Sequence, residues 1–233
     1  METIPAPHAS ALQNRSGEIL GKTAAFRSEV YRWLALGFYP PDEVLVQGAR
    51  SGQMAEEVRL ATLWLGPDQA LLAPAIHRLG EFKALTRYET GEAYNRLFEK
   101  SLERISLREH SYRWQDAAGL GHNAAACTNT LSRVYASCGT KSVAGMEDHA
   151  AVELEFLAYL CSQEADSWQT LQFSAARGTR RFASAFLQEH LGRWLPEVCW
   201  RIKRQNTDRF YTALADLTAN WLTLEIGSGR LAG

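Results

Sequence analysis

The sequence predicts an all-α protein that folds as a single bundle of about eight or nine helices. Its 33 alanines and 29 leucines far outnumber its 8 valines and 6 isoleucines, which favours helix over strand. No proline occurs between Pro74 and Pro196, so long helices can run through this part of the chain without interruption. No segment shows the sustained two-residue alternation of a half-buried strand.

Apolar periodicity and helix-breaking residues predict the helices in order. The first carries Phe26, Val30 and Leu34 on one face and is stopped by Pro40-Pro41, and a short helix follows. The middle of the chain contains seven further predicted helices, over 53–65, 74–86, 91–105, 117–138, 147–164, 177–191 and 195–204. Turn-forming residues predict the breaks at Gly52, Gly66-Pro67, the stretch 139–145 and Trp194-Leu195-Pro196.

The last helix and the two ends of the chain complete the prediction. An apolar stripe that includes Phe210, Leu214 and Trp221 predicts a C-terminal helix that ends near Gly227. Residues 106–116 are polar and irregular and predict a loop long enough to carry function. Residues 1–20 are expected to form a flexible tail, and 21–233 one helical domain.

Composition excludes several classes of protein. With 25 basic and 26 acidic residues the net charge is -1, whereas proteins that bind nucleic acid through phosphates usually carry a basic excess. No apolar run approaches the roughly 18–20 residues of a membrane span, and residues 1–20 lack the basic start and apolar run of a secretory signal. The four cysteines show no CxxC spacing and are expected to be buried reduced thiols. These observations predict a cytoplasmic protein.

Motifs of catalysis and cofactor binding are missing. The segment Gly17–Thr23 is one residue short of a phosphate-binding loop and no buried strand precedes it, so a helix start is the better interpretation. The chain has no HExxH, no Glu-x-x-His pair and no GxSxG turn. A Cys127 nucleophile with a distant histidine is less favoured than a core thiol. We therefore expect no enzyme, no metal and no resident cofactor.

The segment Met146–Cys161 is unusual because it predicts a helix that is apolar on nearly every side and therefore central. It nevertheless carries four carboxylates, and His149 and Glu153 lie one turn apart. Two interpretations are open. In the first, Asp148 or Glu147 caps the helix, and His149 and Glu153 satisfy each other. Alternatively, an acidic rim opens onto an apolar floor and binds a peptide that carries arginines beside hydrophobic side chains.

Two further segments combine aromatic and polar residues. Tyr94, Leu97 and Phe98 share one helical face, where ordinary core packing competes with a binding surface. The following loop carries Glu109, Tyr112 and Trp114 as candidate contact residues.

Asp148-His149 and the downstream Glu153-Leu154-Glu155-Phe156-Leu157 are accompanied by four further segments in a fixed order within residues 24–200. Together they resemble the TorD/DmsD/NarJ group of redox-enzyme maturation chaperones, with its Asp-His motif and Glu-Leu-x-Phe continuation. The four other segments share that family's order and spacing: Tyr31-Arg32-Trp33-Leu34 through Phe38-Tyr39-Pro40, Tyr94-Asn95-Arg96-Leu97-Phe98, Leu131 with Tyr135 and Gly139, and Phe186–Leu191 with Trp194-Leu195-Pro196.

Two departures from the family pattern bear on the client. Gly145-Met146-Glu147 stands where a proline usually precedes the Asp-His pair, and Leu107–Tyr112 replaces a Pro-x-Glu-Ser loop. The variant loop is similar to the branch that serves periplasmic type II members of the dimethyl sulfoxide reductase family. That branch serves ethylbenzene dehydrogenase, dimethyl sulfide dehydrogenase, and selenate and chlorate reductases.

The resemblance implies a helical cytoplasmic chaperone dedicated to one molybdopterin-containing catalytic subunit. Such a protein would bind the client's twin-arginine signal peptide or its apo form, hold it until cofactor insertion, and release it for export. By matched position the expected peptide-contacting surface comprises Asp148 and His149, with Glu153 and Phe156 behind them, and Tyr94, Leu97 and Phe98 as its apolar floor.

Two other classes of function stay open at this stage. One is a helical cofactor- or nucleotide-binding protein that delivers molybdenum cofactor to the client, and the other is a helical enzyme with an unrecognised Cys/His site. We expect a monomer, although long interhelical loops would also permit domain-swapped dimers.

Overall fold

The computed structural model describes residues 7–63, 70–112 and 124–231. Within these ranges the backbone is helical or irregular and forms no β-strand, which confirms the all-α prediction. The α-helices, in chain order, are α1 (Pro7–Phe38), α2 (Glu43–Ser51), α3 (Gln53–Thr62), α4 (Ala73–Leu79), α5 (Arg87–Tyr94), α6 (Ala124–Ser137), α7 (Ala150–Gln169), α8 (Phe173–Glu189), α9 (Leu191–Gln205) and α10 (Arg209–Leu231). A π-helical turn, Asn95–Glu99, extends α5, and a 3-10 turn spans Glu109–Ser111.

The described ranges contain ten α-helices, above the expected eight or nine, and the break predicted at Gly52 is among those that divide them. Gly52 separates α2 from α3 in a left-handed conformation (φ 81°) that glycine adopts without strain. His190 separates α8 from α9. The predicted break at Trp194-Leu195-Pro196 is wrong, because Pro196 lies inside α9, six residues after the break at His190.

α1 begins far earlier than the sequence indicates, at Pro7 rather than after residue 20. Gly17 and Gly21 lie inside this helix, so interpreting Gly17–Thr23 as a helix start is wrong. A Cβ on Gly21 would come within 3.2 Å of the Cβ of Trp168, and one on Gly17 within 3.1 Å of the Phe173 ring. The two glycines therefore let α1 approach the end of α7 closely. The flexibility of residues 1–20 stays a prediction.

α7 is the central helix, as its all-round apolar pattern predicts. Its residues Leu154, Leu157 and Cys161 are fully buried, and it packs against both α1 and α8. The helix begins at Ala150 instead of 147, because His149 has an extended backbone and serves as the N-cap. The contacts available to the first turns of α7 therefore depend on the loops and helix ends that surround its N-terminus.

A buried ionic group, here called the helix triad, consists of Arg27, Glu164 and Glu225 and joins α1, α7 and α10. Arg27 donates from Nε and Nη2 to Glu225 at 2.6–2.9 Å and from Nη1 to Glu164 at 2.8 Å. The hydroxyl of Tyr31 also donates to Glu225, at 3.1 Å. All three charged side chains are at most 6% exposed, so their mutual pairing compensates the loss of water.

The cysteines are free thiols, as expected. Cys127, Cys161 and Cys199 are buried, whereas Cys138 is only half-buried, which the sequence did not indicate. In the described part of the chain, every helix is too short or too polar to cross a bilayer.

Candidate functional site

The polar loop at residues 106–112 is fastened to the start of α7 by backbone hydrogen bonds. The amide of Ala150 donates to the Leu107 carbonyl and that of Glu109 to the Asp148 carbonyl, each at 2.9 Å. This short antiparallel bridge, centred on Arg108 and His149, joins segments forty residues apart in the chain. The loop and the N-terminus of α7 therefore form one structural unit.

Asp148 lies inside this unit, fully buried. Its Oδ1 accepts from Arg108 Nη1 at 3.1 Å. Its Oδ2 accepts from the His110 amide at 3.4 Å and is also in direct contact with Nδ1 of the His110 ring. Arg108 also donates to the Gly145 carbonyl. The Asp148 carboxylate is therefore not exposed in an open rim, because three groups of the loop surround it, and its contact with a client stays a prediction.

The N-cap of α7 is His149. The sequence predicted the cap at Asp148 or Glu147, which are one and two residues earlier. The Nδ1 atom of His149 accepts from the Ala151 amide at 3.2 Å, which places the ring proton on Nε2. Burial, together with the positive charge of Arg108, lowers the pKa of His149 to about 4. The neutral ring stacks against Tyr39 at the end of α1, with ring centroids 6.0 Å apart.

Glu153, one turn further on, is also fully buried, and so is Glu109 of the loop. His190 Nδ1 lies 3.1 and 3.2 Å from the two Glu109 oxygens, and the Cys127 thiol donates to Glu109 at 3.3 Å. One ligand atom each from Glu109, Glu153 and His190 lies within 4.8 Å of the others. Two carboxylates and an imidazole form a set of ligands that can coordinate a divalent cation. We call Arg108, Glu109, His110, Asp148 and His190 the loop latch.

Tyr94, Leu97 and Phe98 lie in the core, not on a surface. Their exposures are 3%, 1% and 6%, and the ring of Phe98 packs between Tyr94 and Tyr211, at centroid distances of 5.0 and 5.5 Å. Core packing was one of the two interpretations left open by the sequence, and all three side chains do pack in the core. Their contact with a client stays a prediction.

The candidate contact residues of the loop have different environments. Glu109 is buried in the loop latch, whereas Tyr112 is half-buried, with its ring stacked on Trp194 at 5.6 Å. The Tyr112 hydroxyl donates to the Ser106 carbonyl at 2.8 Å, and the Arg201 guanidinium lies 5.3 Å from the ring. Trp114 lies outside the described residues.

Phe156 lines a surface cavity of about 230 Å³. Its ring is the centre of an aromatic cluster, with Tyr135 at 4.7 Å and Phe186 at 4.9 Å. Residues of α7, the end of α1, α6 and the 140–143 segment form the walls: Tyr39, Tyr135, Thr140, Lys141, Ser142, Val143, Val152, Glu155, Phe156 and Tyr159. We call this the Phe156 cavity. Of the site residues predicted from sequence, Phe156 lines it and His149 stacks on one of its walls.

Glu155 is the carboxylate of this cavity, and sequence reasoning did not select it. It is exposed and accepts from the Tyr39 hydroxyl at 2.7 Å, and burial together with this carboxylate raises the pKa of Tyr39. The signal was present, because Val152, Glu155, Phe156 and Tyr159 follow an i, i+3, i+4, i+7 stripe. Glu153 is two residues away and so points to the opposite side of the helix.

Comparison with known proteins gives a consistent result. The model of the family described as nitrate reductase delta subunit matches residues 64–200, more than half of the chain. The chaperone protein TorD of Vibrio cholerae serotype O1 is 26% identical over 197 residues, which cover 82% of this chain and 86% of that protein. The selenate reductase assembly chaperone protein of Thauera selenatis is 44% identical over 64 residues, 28% of this chain and 31% of that protein. No solved structure matches.

Proposed function

This chain belongs to the nitrate reductase delta subunit family, and we propose that it is the dedicated cytoplasmic chaperone of one molybdopterin-containing catalytic subunit. It is a redox-enzyme maturation chaperone and not an enzyme. In the proposed cycle it binds the twin-arginine signal peptide of the client in the Phe156 cavity, retains the apo-subunit until the cofactor is inserted, and then releases it for export.

The observation that carries this proposal is the chemistry of the Phe156 cavity. Its floor consists of aromatic and aliphatic side chains, and Val143 on its wall is 70% exposed, an apolar group in contact with water. A hydrophobic stretch of a signal peptide would remove this surface from water, at a gain of about 25 cal/mol for each Å² buried. A cavity of this size takes a few side chains at once, not a folded domain.

Glu155 supplies the complement to the arginines. An exposed carboxylate can accept two parallel N–H bonds from one guanidinium, a geometry that lysine cannot reproduce. The Tyr39 hydroxyl donates to one Glu155 oxygen at 2.7 Å, and no other hydrogen bond to this carboxylate forms among the described residues, so both oxygens can still accept from a guanidinium. An arginine followed by apolar residues therefore fits Glu155 followed by the floor of the cavity.

The buried residues of the family motif would act by positioning. Asp148 holds Arg108, which donates to the Gly145 carbonyl close to the 140–143 wall of the cavity. His149 caps α7 and stacks on Tyr39, another wall residue. Substitutions at Asp148 or His149 would then change client affinity by moving the walls and not by removing a direct contact.

The alternative of a cysteine-dependent enzyme finds little support, since the candidate thiol of Cys127 is buried and donates to the Glu109 carboxylate at 3.3 Å. Burial raises the pKa of both Cys161 and Cys199 to about 12, so these thiols stay protonated at neutral pH and are poor nucleophiles.

The test is a binding titration with twin-arginine signal peptides of molybdoenzyme subunits encoded near this chain. Each peptide is paired with a version in which both arginines are lysines. One peptide should bind well and lose affinity on the change to lysine. Glu155→Gln should weaken its binding about 2–5-fold, since exposed charge pairs contribute up to about 1 kcal/mol.

Val143→Lys and Glu56→Gln complete the set of variants. Val143→Lys adds a positive charge to the wall and should weaken binding further, whereas Glu56, an exposed carboxylate on α3, serves as the matched control. Unchanged affinity in both Glu155→Gln and Val143→Lys would show that the signal peptide binds elsewhere. Failure of every peptide to bind would direct the proposal towards the mature apo-subunit.

A further inference from the structure

A second groove lies between residues 103–105 and the last turns of α9. Its volume is about 580 Å³, more than twice that of the Phe156 cavity. Three arginines and a tryptophan dominate its lining, which comprises Glu103, Arg104, Ile105, Trp200, Arg201, Arg204 and Gln205. We call it the arginine groove. Gln205 donates to the Glu103 carbonyl at 3.0 Å and so ties the two sides together.

The arginines of this groove are available to a ligand. Arg104 and Arg204 are exposed, and within the described ranges no salt bridge involves either of them. Arg204 stacks over the Trp200 ring at 5.2 Å, which orients the guanidinium without neutralising it. Arg201 pairs with Glu197 through Nε at 2.8 Å, and its guanidinium also lies over Tyr112 of the loop. Three arginines against the single carboxylate of Glu103 give the lining a net positive charge, and contacts orient two of the guanidinium groups, those of Arg201 and Arg204.

Apolar surface accompanies this charge. Trp200 is 52% exposed, and the neighbouring Leu102 is fully exposed. Tryptophan and arginine are the residues most enriched at the energetic centres of protein interfaces. An isolated surface tryptophan that serves only packing would be more deeply buried.

We propose that the arginine groove binds an acidic, extended segment of the client's mature polypeptide. The inference rests on the proposed function, because it takes the client to be the partner. A twin-arginine signal peptide is basic, and the charge of the groove repels it. Carboxylates followed by apolar side chains satisfy the arginines and Trp200 together. The chaperone would thus contact one client at two surfaces of opposite charge, Glu155 for the signal and the arginine groove for the mature chain.

A phosphorylated small molecule fits the same charges less well. Small-molecule sites enclose about 70–90% of their ligand, whereas Arg104, Trp200 and Arg204 all lie exposed on the walls of this groove. An extended peptide needs no enclosure, because it forms many contacts along its length.

The test uses the molybdoenzyme catalytic subunit encoded beside this chain, as apo-protein without its signal peptide, and separately the signal peptide alone. The full-length chaperone carries Arg201→Glu with Arg204→Glu, and Arg50→Glu with Arg177→Glu is the matched control on exposed arginines elsewhere. Circular dichroism confirms equal helicity. The groove variant should bind the subunit at least tenfold more weakly, and added salt should reduce the difference. Trp200→Ala should weaken it about threefold. Affinity for the signal peptide should stay within twofold.

Three outcomes would overturn the inference. The first is that the groove variant binds the subunit as well as the wild type does. The second is that it loses the signal peptide equally, which would mean a single shared surface. The third is that GTP or pyrophosphate binds the wild type and not the variant while subunit binding is unchanged, which would identify a small-anion site. If the wild type binds the subunit and not the signal peptide, the Phe156 cavity proposal fails while the groove result still stands.

Discussion

The helix triad and the loop latch are both buried ionic groups, yet they connect different kinds of structure. Arg27, Glu164 and Glu225 all project from the interior of helices and join α1, α7 and α10. In the loop latch a segment without regular structure is held to the start of α7, and two of its five members are histidines. The first group joins rigid elements; the second gives an irregular segment a fixed position.

The difference in side-chain chemistry follows the difference in task. A guanidinium keeps its charge at every accessible pH, so the triad is a permanent connection. Burial raises the pKa of Glu164, an effect that Arg27 opposes. The loop latch instead combines one guanidinium with two imidazole rings around the carboxylates of Asp148 and Glu109. Arg108 of the latch also donates to the Gly145 carbonyl, beside the 140–143 wall of the Phe156 cavity, whereas Glu164 of the triad lies almost four turns along α7 from its first residue.

Arg27→Met is the substitution with the largest expected effect, because it leaves two carboxylates buried with their counter-charge removed. Breaking a buried ion pair on one side costs about 3–5 kcal/mol. The free energy of unfolding in urea should fall by that amount. Arg32→Met, which removes an exposed i,i+3 pair on the same helix, should change it by less than about 0.5 kcal/mol. Similar losses in both variants would show that the triad is no more important than a surface pair.

Asp148→Asn should have an intermediate effect that is concentrated in the loop. Arg108 is 30% exposed and can turn towards water, so we expect a loss of about 2–3 kcal/mol. Hydrogen exchange of the Glu109 and Ala150 amides should accelerate more than that of the core of α7. Asp166→Asn, an exposed position on α7, is the control. Uniform acceleration along α7 would contradict the role of Asp148 as a local latch.

His149→Asn should have the smallest effect at neutral pH and a distinct effect in acid. The pKa of His149 is lowered to about 4 in the folded protein, from an ordinary value of 6.5. The unfolded chain therefore binds one more proton between these values, and the stability contributed above pH 6.5 is lost as the pH falls towards 4.

Asparagine can accept the same capping hydrogen bond but does not titrate. Between pH 6 and 5 the wild type should therefore lose up to about 1.4 kcal/mol per pH unit more than His149→Asn in urea titrations. Parallel pH profiles of the two proteins would show that His149 is not buried as a neutral ring.

The fold was predictable because its signals are local. Alanine and leucine content, the proline-free stretch and the apolar pattern of residues 146–161 are enough for an all-α chain with a central α7. The early start of α1 was not predictable, because the polar, proline-bearing residues before Gly17 lack an apolar stripe. The role of Gly17 and Gly21 in close helix packing is visible only in the structure, where they lie against Phe173 and Trp168.

The candidate site was predictable in part. The segment of α7 was selected correctly, yet Glu153 was preferred to Glu155, although the two carboxylates point to opposite sides of the helix. Their relative burial depends on the loop at 106–112, which pairs with residues forty positions away. Tyr39 is in the same situation, since it reaches Glu155 across 116 positions of sequence. Such pairings cannot be read from one sequence, because no local spacing encodes them.

The backbone bridge between Leu107 and Ala150 has an evolutionary consequence. Arg108 and His149 lie side by side in this bridge, so the two ends of the intervening segment, which contains α6, are held together. An intervening segment with adjoining ends can lengthen, shorten or be exchanged while the helices on either side keep their places. The segment could therefore vary among relatives without disturbing the rest of the fold. A chimera that carries residues 110–147 of a relative would measure how much of the client specificity this segment determines.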